Sequence, residues 1–213
     1  QSKKNIKKII IGKDTRLSCS LLENALLNGF NFVGIKSDFI GVVSTPILSF
    51  YTQFLKYDYG IMISASHNPH YDNGIKIFKK NGEKLNDEEE VKIEKVLDSL
   101  NFKPDLRKKK TVNKILNLES YKQAILKRFS QKKFKIKIAL DCANGSVFKI
   151  APQFFKDIGC DVVKYSTKPT GVNINKNCGA MYPKRIARLT KQTRADIGLS
   201  FDGDADRVII SDE

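Results

Sequence analysis

GIMISASHNPHYDNGIKIF occupies residues 60–78. Its first six residues form a short apolar run, which reads as a strand buried on both faces. The run stops at Ser66-His67-Asn68-Pro69, and Ile75–Phe78 reads as a further strand turned by Asn81-Gly82. Open α/β sheets hold ligands just beyond the carboxyl ends of their strands, so the intervening loop is a candidate site as well as a connection. Pro69 and Gly74 impose tight turns that keep its backbone exposed. Ser66, followed by His67 and later by Lys76, has the makings of a nucleophile or phosphate carrier beside proton-handling and cationic groups. A capped turn, whose Ser and Asn satisfy local backbone groups, explains the same residues without chemistry.

Strand and helix patterns alternate on either side. Lys7–Gly12 reads as a buried strand, followed by a polar loop and a helix with Leu21, Leu22, Ala25 and Leu26 at helical spacing. Ser18 or Ser20 is its expected cap. Asn31–Lys36 is expected as a second strand, and Thr45-Pro46 opens a helix through about Lys56. Asn86 or Asp87 starts an acidic-first helix to about Leu100, with Val91, Leu97 and Leu100 among its apolar positions. Residues 103–114 hold one Pro and six basic residues against one acid, the pattern of an exposed linker. Beyond it come a helix near 118–129, a strand at 135–141, a helix from Ser146, a strand at 161–165, a helix to about Thr193, and strands at 196–201 and 207–211. The expected fold is two consecutive mixed α/β domains, each three layers deep (α/β/α), over residues 1–106 and 107–213.

The 213 residues carry 41% hydrophobic against 29% charged side chains, enough to bury a core, which excludes global disorder. Lys and Arg outnumber Asp and Glu by 38 to 23, a net charge of +15. Only seven of those 38 are Arg, against the reading of a dedicated nucleic-acid binder; scattered Lys is a solvated surface. The four cysteines, 19, 142, 160 and 178, are far apart and suggest neither a zinc knuckle nor a disulfide framework. No apolar run reaches bilayer-spanning length and no signal peptide is visible, so the expectation is a reduced, cytoplasmic protein without membrane partners.

Two more loops carry chemistry. Asp202-Gly203-Asp204-Ala205-Asp206-Arg207 places three carboxylates at alternate positions, a cluster that converges naturally on one hard cation. Asp202, Asp204, Asp206 and Glu213 match four EF-hand positions, but Arg207 stands where that loop needs Gly, and strand patterns flank it. A divalent site with Arg207 available to a phosphate survives, beside the simpler reading of a solvated acidic turn. Gly12-Lys13-Asp14-Thr15-Arg16 is a strand-end loop whose Arg16 has the planar fork for a phosphate.

Taken together, GKDTR at 12–16, ISASHNPHYDNGIKIF at 63–78, DCANG at 141–145, GVNINKNCGAMYP at 171–183 and SFDGDADR at 200–207 resemble the α-D-phosphohexomutases, most closely their phosphoglucosamine mutase branch. The resemblance implies an isomerase that interconverts glucosamine 6-phosphate and glucosamine 1-phosphate through a phosphoserine and a 1,6-bisphosphate, for UDP-N-acetylglucosamine and peptidoglycan precursors. A phosphomannomutase/phosphoglucomutase or an incompetent mutase fragment is the alternative. It implies Ser66 as the phosphorylated residue and Asp202, Asp204 and Asp206 as Mg²⁺ ligands, with a phosphoserine oxygen completing the set. Arg16 and Arg207 would lie beside the phosphoserine, Lys76 would transfer protons, and His67 matches the histidine after the nucleophile. Ser64 should instead alternate inward. The implied partners are a phosphosugar and a bisphosphate activator of the glucose or glucosamine 1,6-bisphosphate type, with a second copy of the chain as a candidate. Family members begin earlier and continue into a sugar-recognition loop and a C-terminal phosphate loop, so the chain is expected to be domains one and two of four.

Overall fold

Three consecutive isoleucines, 9, 10 and 11, leave the first strand no polar face, and the fold covers it on both sides. The computed structural model describes residues 6–99, 113–114, 118–129 and 133–212. The first unit runs β1 (Lys8–Lys13), α1 (Cys19–Phe32), β2 (Lys36–Val42), α2 (Thr45–Phe54), β3 (Tyr59–Ile63), β4 (Ile75–Lys79) and α3 (Asp87–Ser99). Ile10 and Met62 pack on Ile47, Leu48 and Tyr51 of α2. Ile9, Ile11, Ile61 and Ile63 point the other way, onto Cys19 and Leu27 of α1. Alternate residues of the same two strands thus feed two cores, giving the three layers. Each fully buried Ile or Leu contributes about 1.5–3 kcal/mol.

The strand order is β4-β3-β1-β2-β5, where β5 (Asn113–Lys114) adds two residues parallel to β2. β1, β2 and β3 are parallel and β4 is antiparallel. The second unit contains α4 (Glu119–Leu126) with a 3-10 turn at Lys127–Phe129, β6 (Lys137–Asp141), α5 (Ile150–Asp157), β7 (Asp161–Tyr165), α6 (Pro183–Thr193), β8 (Ile197–Phe201) and β9 (Val208–Ser211). Its sheet order is β7-β6-β8-β9, with only β9 antiparallel. Ile138 and Leu140 face Val147 and Ala151, while Ala139 faces Ile186 of α6. Both β3 and β8 end at the carboxyl edge of their parallel strands, and the connections to β4 and β9 meet there. Among the described residues no helix is long and apolar enough to cross a membrane.

Several elements depart from the sequence expectation. Asn31 and Phe32 belong to α1, and the second strand starts only at Lys36. Gly29 continues the helix. Gly34, at φ +74°, ends it, with Ile35 N–H on Phe30 O, a left-handed C-terminal cap. Ser18 makes no side-chain cap; its Oγ accepts from Asn73 Nδ2 at 2.9 Å. The helix expected from Ser146 starts at Ile150. Val91 and Leu97 of α3 are exposed. Leu100, Glu213 and most of the expected linker at 103–114 lie outside the described residues.

Candidate active site

β3 delivers its last residues into a polar knot. Ser64 points inward as alternation requires, donating to Asp14 Oδ2 at 2.7 Å and accepting from Ser66 N–H at 2.9 Å. Asp14, at the end of β1, also receives Arg16 N–H and Arg16 Nε, both at 2.9 Å. The Arg16 side chain is fully buried. Such a burial is tolerable only when every donor is satisfied. Its Nη1 donates to Pro69 O and Asp72 O, and its Nη2 to Ser66 O and Asn68 O. With Nε on Asp14, all five N–H groups are spent, four of them on the loop. Arg16 is a frame for residues 66–72.

The acidic loop comes from the other unit. Asp202 and Asp204 are fully buried, Asp206 is exposed, and ligand oxygens of the three lie within 4.8 Å of one another. Burial, reinforced by repulsion from Asp204 and Asp206, pushes the Asp202 carboxyl up against the pull of Ser66 and Arg207. Burial also works against ionised Asp204, but hydrogen bonds from Lys76 and Thr45 outweigh it and hold that carboxyl below its ordinary range. Thr45, at the start of α2, donates both its N–H (to Asp204 O, 2.9 Å) and its Oγ1 (to Asp204 Oδ2). Asp204 Oδ1 is buried without a hydrogen-bond partner among the described residues. A buried carboxylate oxygen with nothing to bind is costly, and a divalent cation shared with Asp202 and Asp206 would resolve it. The donor set, all hard carboxylate oxygens, suits Mg²⁺.

The two loops meet at Ser66. Its Oγ donates to Asp202 Oδ2 at 2.6 Å and accepts from Arg207 Nη2 at 2.6 Å. Arg207 also reaches Asp202 Oδ2 through Nε at 3.1 Å, and its Nη2 contacts His67 Nδ1. Lys76 Nζ bridges Asp204 Oδ2 at 2.7 Å and Asp206 Oδ2 at 2.8 Å. Burial alone would lower the Lys76 pKa, but these two carboxylates raise it above its ordinary value. Ser66, His67, Lys76, Asp202, Asp204, Asp206 and Arg207 therefore converge, while Arg16 stands behind the loop. Thr45, Asp14 and Asn175 escaped the sequence reading. Their signal is tertiary, because each acts on residues far away in the chain.

Residues 1–104 match the family model for phosphoglucomutase/phosphomannomutase, alpha/beta/alpha domain I, and residues 118–213 that for domain II. The phosphoglucosamine mutase of Aliarcobacter butzleri is 41% identical over 215 residues, covering 97% of this chain and 48% of that protein. The chain spans about half the length of the curated relatives it matches. A crystal structure of a phosphoglucomutase/phosphomannomutase family protein from Burkholderia thailandensis shares the fold at TM-score 0.79 with 24% identity, over 97% of this chain and 46% of that one. The N-acetylphosphoglucosamine mutase of Aspergillus fumigatus, solved with GlcNAc-6P and magnesium, shares the fold at TM-score 0.54 with 18% identity, over 99% of this chain and 35% of that one.

Proposed function

The chain belongs to the phosphoglucomutase/phosphomannomutase family, and from that premise we propose that it forms the phosphoserine and metal halves of a phosphoglucosamine mutase. The reaction is exchange of a phosphoryl group between Ser66 and a glucosamine phosphate, giving a 1,6-bisphosphate that returns its other phosphoryl to the serine. In each transfer one P–O bond to the donor oxygen breaks and one to the acceptor oxygen forms. The attacking hydroxyl loses a proton and the departing oxygen gains one. The observation that carries this reading is the placement of Ser66 Oγ, 2.6 Å from both Asp202 and Arg207.

Phosphoryl transfer asks a protein mainly for alignment and charge neutralisation. Asp202, Asp204 and Asp206 would hold Mg²⁺, which when bound neutralises phosphoryl oxygens. Arg207 supplies a guanidinium at the oxygen that carries the phosphoryl group, and His67 steadies that guanidinium through Nδ1. Lys76, an ammonium beside Asp204 and Asp206, would give a proton to the departing oxygen. Arg16 keeps the loop backbone in place.

Treatment of the full-length protein with glucosamine 1,6-bisphosphate and Mg²⁺, followed by phosphopeptide mapping, should place the phosphoryl group on Ser66. A phosphoryl group found elsewhere, with Ser66→Ala turning over fully, would sink the assignment.

A further inference from the structure

Ser66 has a left-handed backbone, at φ +52°. A residue with a Cβ keeps that conformation only where its surroundings fix it. The Ser66 carbonyl is gripped from two sides. Arg16 Nη2, from the first unit, donates to Ser66 O at 2.9 Å and Asn68 O at 3.0 Å. Asn175 Nδ2, from the second unit, donates to the same two carbonyls at 2.8 and 3.0 Å. Asn175 is only 7% exposed, is itself left-handed at φ +57°, and is tied by its N–H to Ala143 O at 2.9 Å. Gly203 of the acidic loop closes the junction, because a Cβ there would stand 2.5 Å from Ser66 O and 2.9 Å from Asn175 Nδ2.

We propose that Asn175 is a positioning residue for phosphoryl transfer: by holding Ser66 O and Asn68 O from the second unit, it aims Ser66 Oγ at the acidic loop of that same unit. This rests on the function proposed above. Arg16 orders the serine loop within its own domain, whereas Asn175 ties the backbone of that loop to the unit that carries Asp202, Asp204 and Asp206. Among the described residues the Asn175 amide donates to loop carbonyls and not to Ser66 Oγ or the carboxylates, so its effect passes through the backbone of residues 66–68. Misplacing a reacting atom by about 1 Å costs on the order of 100-fold in rate.

Two variants of the full-length protein test this. Asn175→Gly removes the amide while keeping a residue that adopts left-handed φ freely. Asn175→Asp keeps the shape but turns a donor into an acceptor facing two carbonyls. Both should lower kcat about 10- to 100-fold and leave KM for glucosamine 6-phosphate nearly unchanged. Both should also speed amide hydrogen exchange in the peptide covering residues 64–74. Wild-type kcat in the two variants, a loss confined to KM, or unchanged exchange would each overturn the proposal. Wild-type Ser66 taking no phosphoryl group would instead remove the proposed function. Normal phosphorylation of wild type with unchanged exchange in the variants would remove only the role of Asn175.

Discussion

The two hairpins that meet at Ser66 close two sheets built on one plan. In each, a central first strand is flanked by two parallel strands, and the later of these turns back into an antiparallel edge: β4-β3-β1-β2 and β9-β8-β6-β7. The interiors agree in detail. Thr52 Oγ1 donates to Leu48 O and Thr190 Oγ1 to Ile186 O, each at 2.8 Å. Each threonine presses on a strand glycine, Gly60 or Gly198, where a Cβ would stand 2.0 Å from the hydroxyl. Asp58 and Asp196 accept from the first-strand amides Lys8 N and Lys137 N. A buried aspartate after or at the end of the first strand pairs with an arginine in both, Asp14 with Arg16 and Asp141 with Arg185. The difference lies in the hairpin connections. Residues 64–74 make a long loop carrying a serine, and residues 202–207 a short one carrying three carboxylates. A shared scaffold decides where a loop stands, and the residues grafted on it decide its chemistry.

The sharpest way to break that division of labour is Ser66→Ala. Turnover should fall by at least about four orders of magnitude, since no other hydroxyl takes the place of a lost nucleophile. Mg²⁺ binding measured by calorimetry should persist, because the three carboxylates lie in the other unit. Loss of metal binding together with turnover would show that the hairpins do not separate carrier from cation site. The converse change, Asp204→Asn, removes one charge from the hard-oxygen set and should weaken Mg²⁺ binding by at least about tenfold. An unaltered binding isotherm would count against the cation site.

How far these loops could be read in advance depended on how local their causes are. β1, β3 and α2 were legible because an isoleucine run, a short apolar run and a Thr-Pro start are each contained in a few neighbours. The end of α1 was not, because FNFVGI has the aromatic and β-branched composition of a strand. Packing of α1 on Ile9 and Ile61 overrides that preference, and Gly34 rather than Gly29 supplies the stop. Ser66 and the alternating aspartates stood out as compact motifs. Arg16 was visible as a cation near a strand end, but its five hydrogen-bond partners come mostly from residues 66–72, which only the fold brings to it. Asn175 lies in the GVNINKNCGAMYP segment, but nothing local gave it a role, since its partners are 107 and 109 positions away.

The shared plan can itself be tested by stability. Gly60→Ala and Gly198→Ala each force a methyl group against a threonine hydroxyl, and overpacking of this kind costs about 1–3 kcal/mol. Both variants should melt earlier in calorimetry. Adding Thr52→Ala to the first and Thr190→Ala to the second should recover part of the loss, since the colliding atom is removed. Recovery in one unit without the other would show that the Thr–Gly contacts match in geometry but not in energetics.

The smallest expected effect concerns Lys76, which joins the two hairpins through ion pairs. Lys76 extends from β4 of the serine unit, and its ammonium bridges Asp204 and Asp206. A cation bound by those carboxylates must share them with Lys76 or displace it, so the lysine competes with the metal. At an effective dielectric near 20, a unit charge about 4 Å away is worth roughly 4 kcal/mol. Most of that is regained when a flexible lysine swings into water, and the residual should be several-fold in affinity rather than orders of magnitude. Lys76→Met should therefore tighten Mg²⁺ binding by about threefold to tenfold by calorimetry while reducing mutase turnover. Because the carboxylates raise the Lys76 pKa, the wild-type lysine stays charged throughout the neutral range, and the affinity ratio between wild type and variant should stay flat there. Weaker binding in Lys76→Met would mean that Lys76 orders the aspartates for the cation instead of standing in its place.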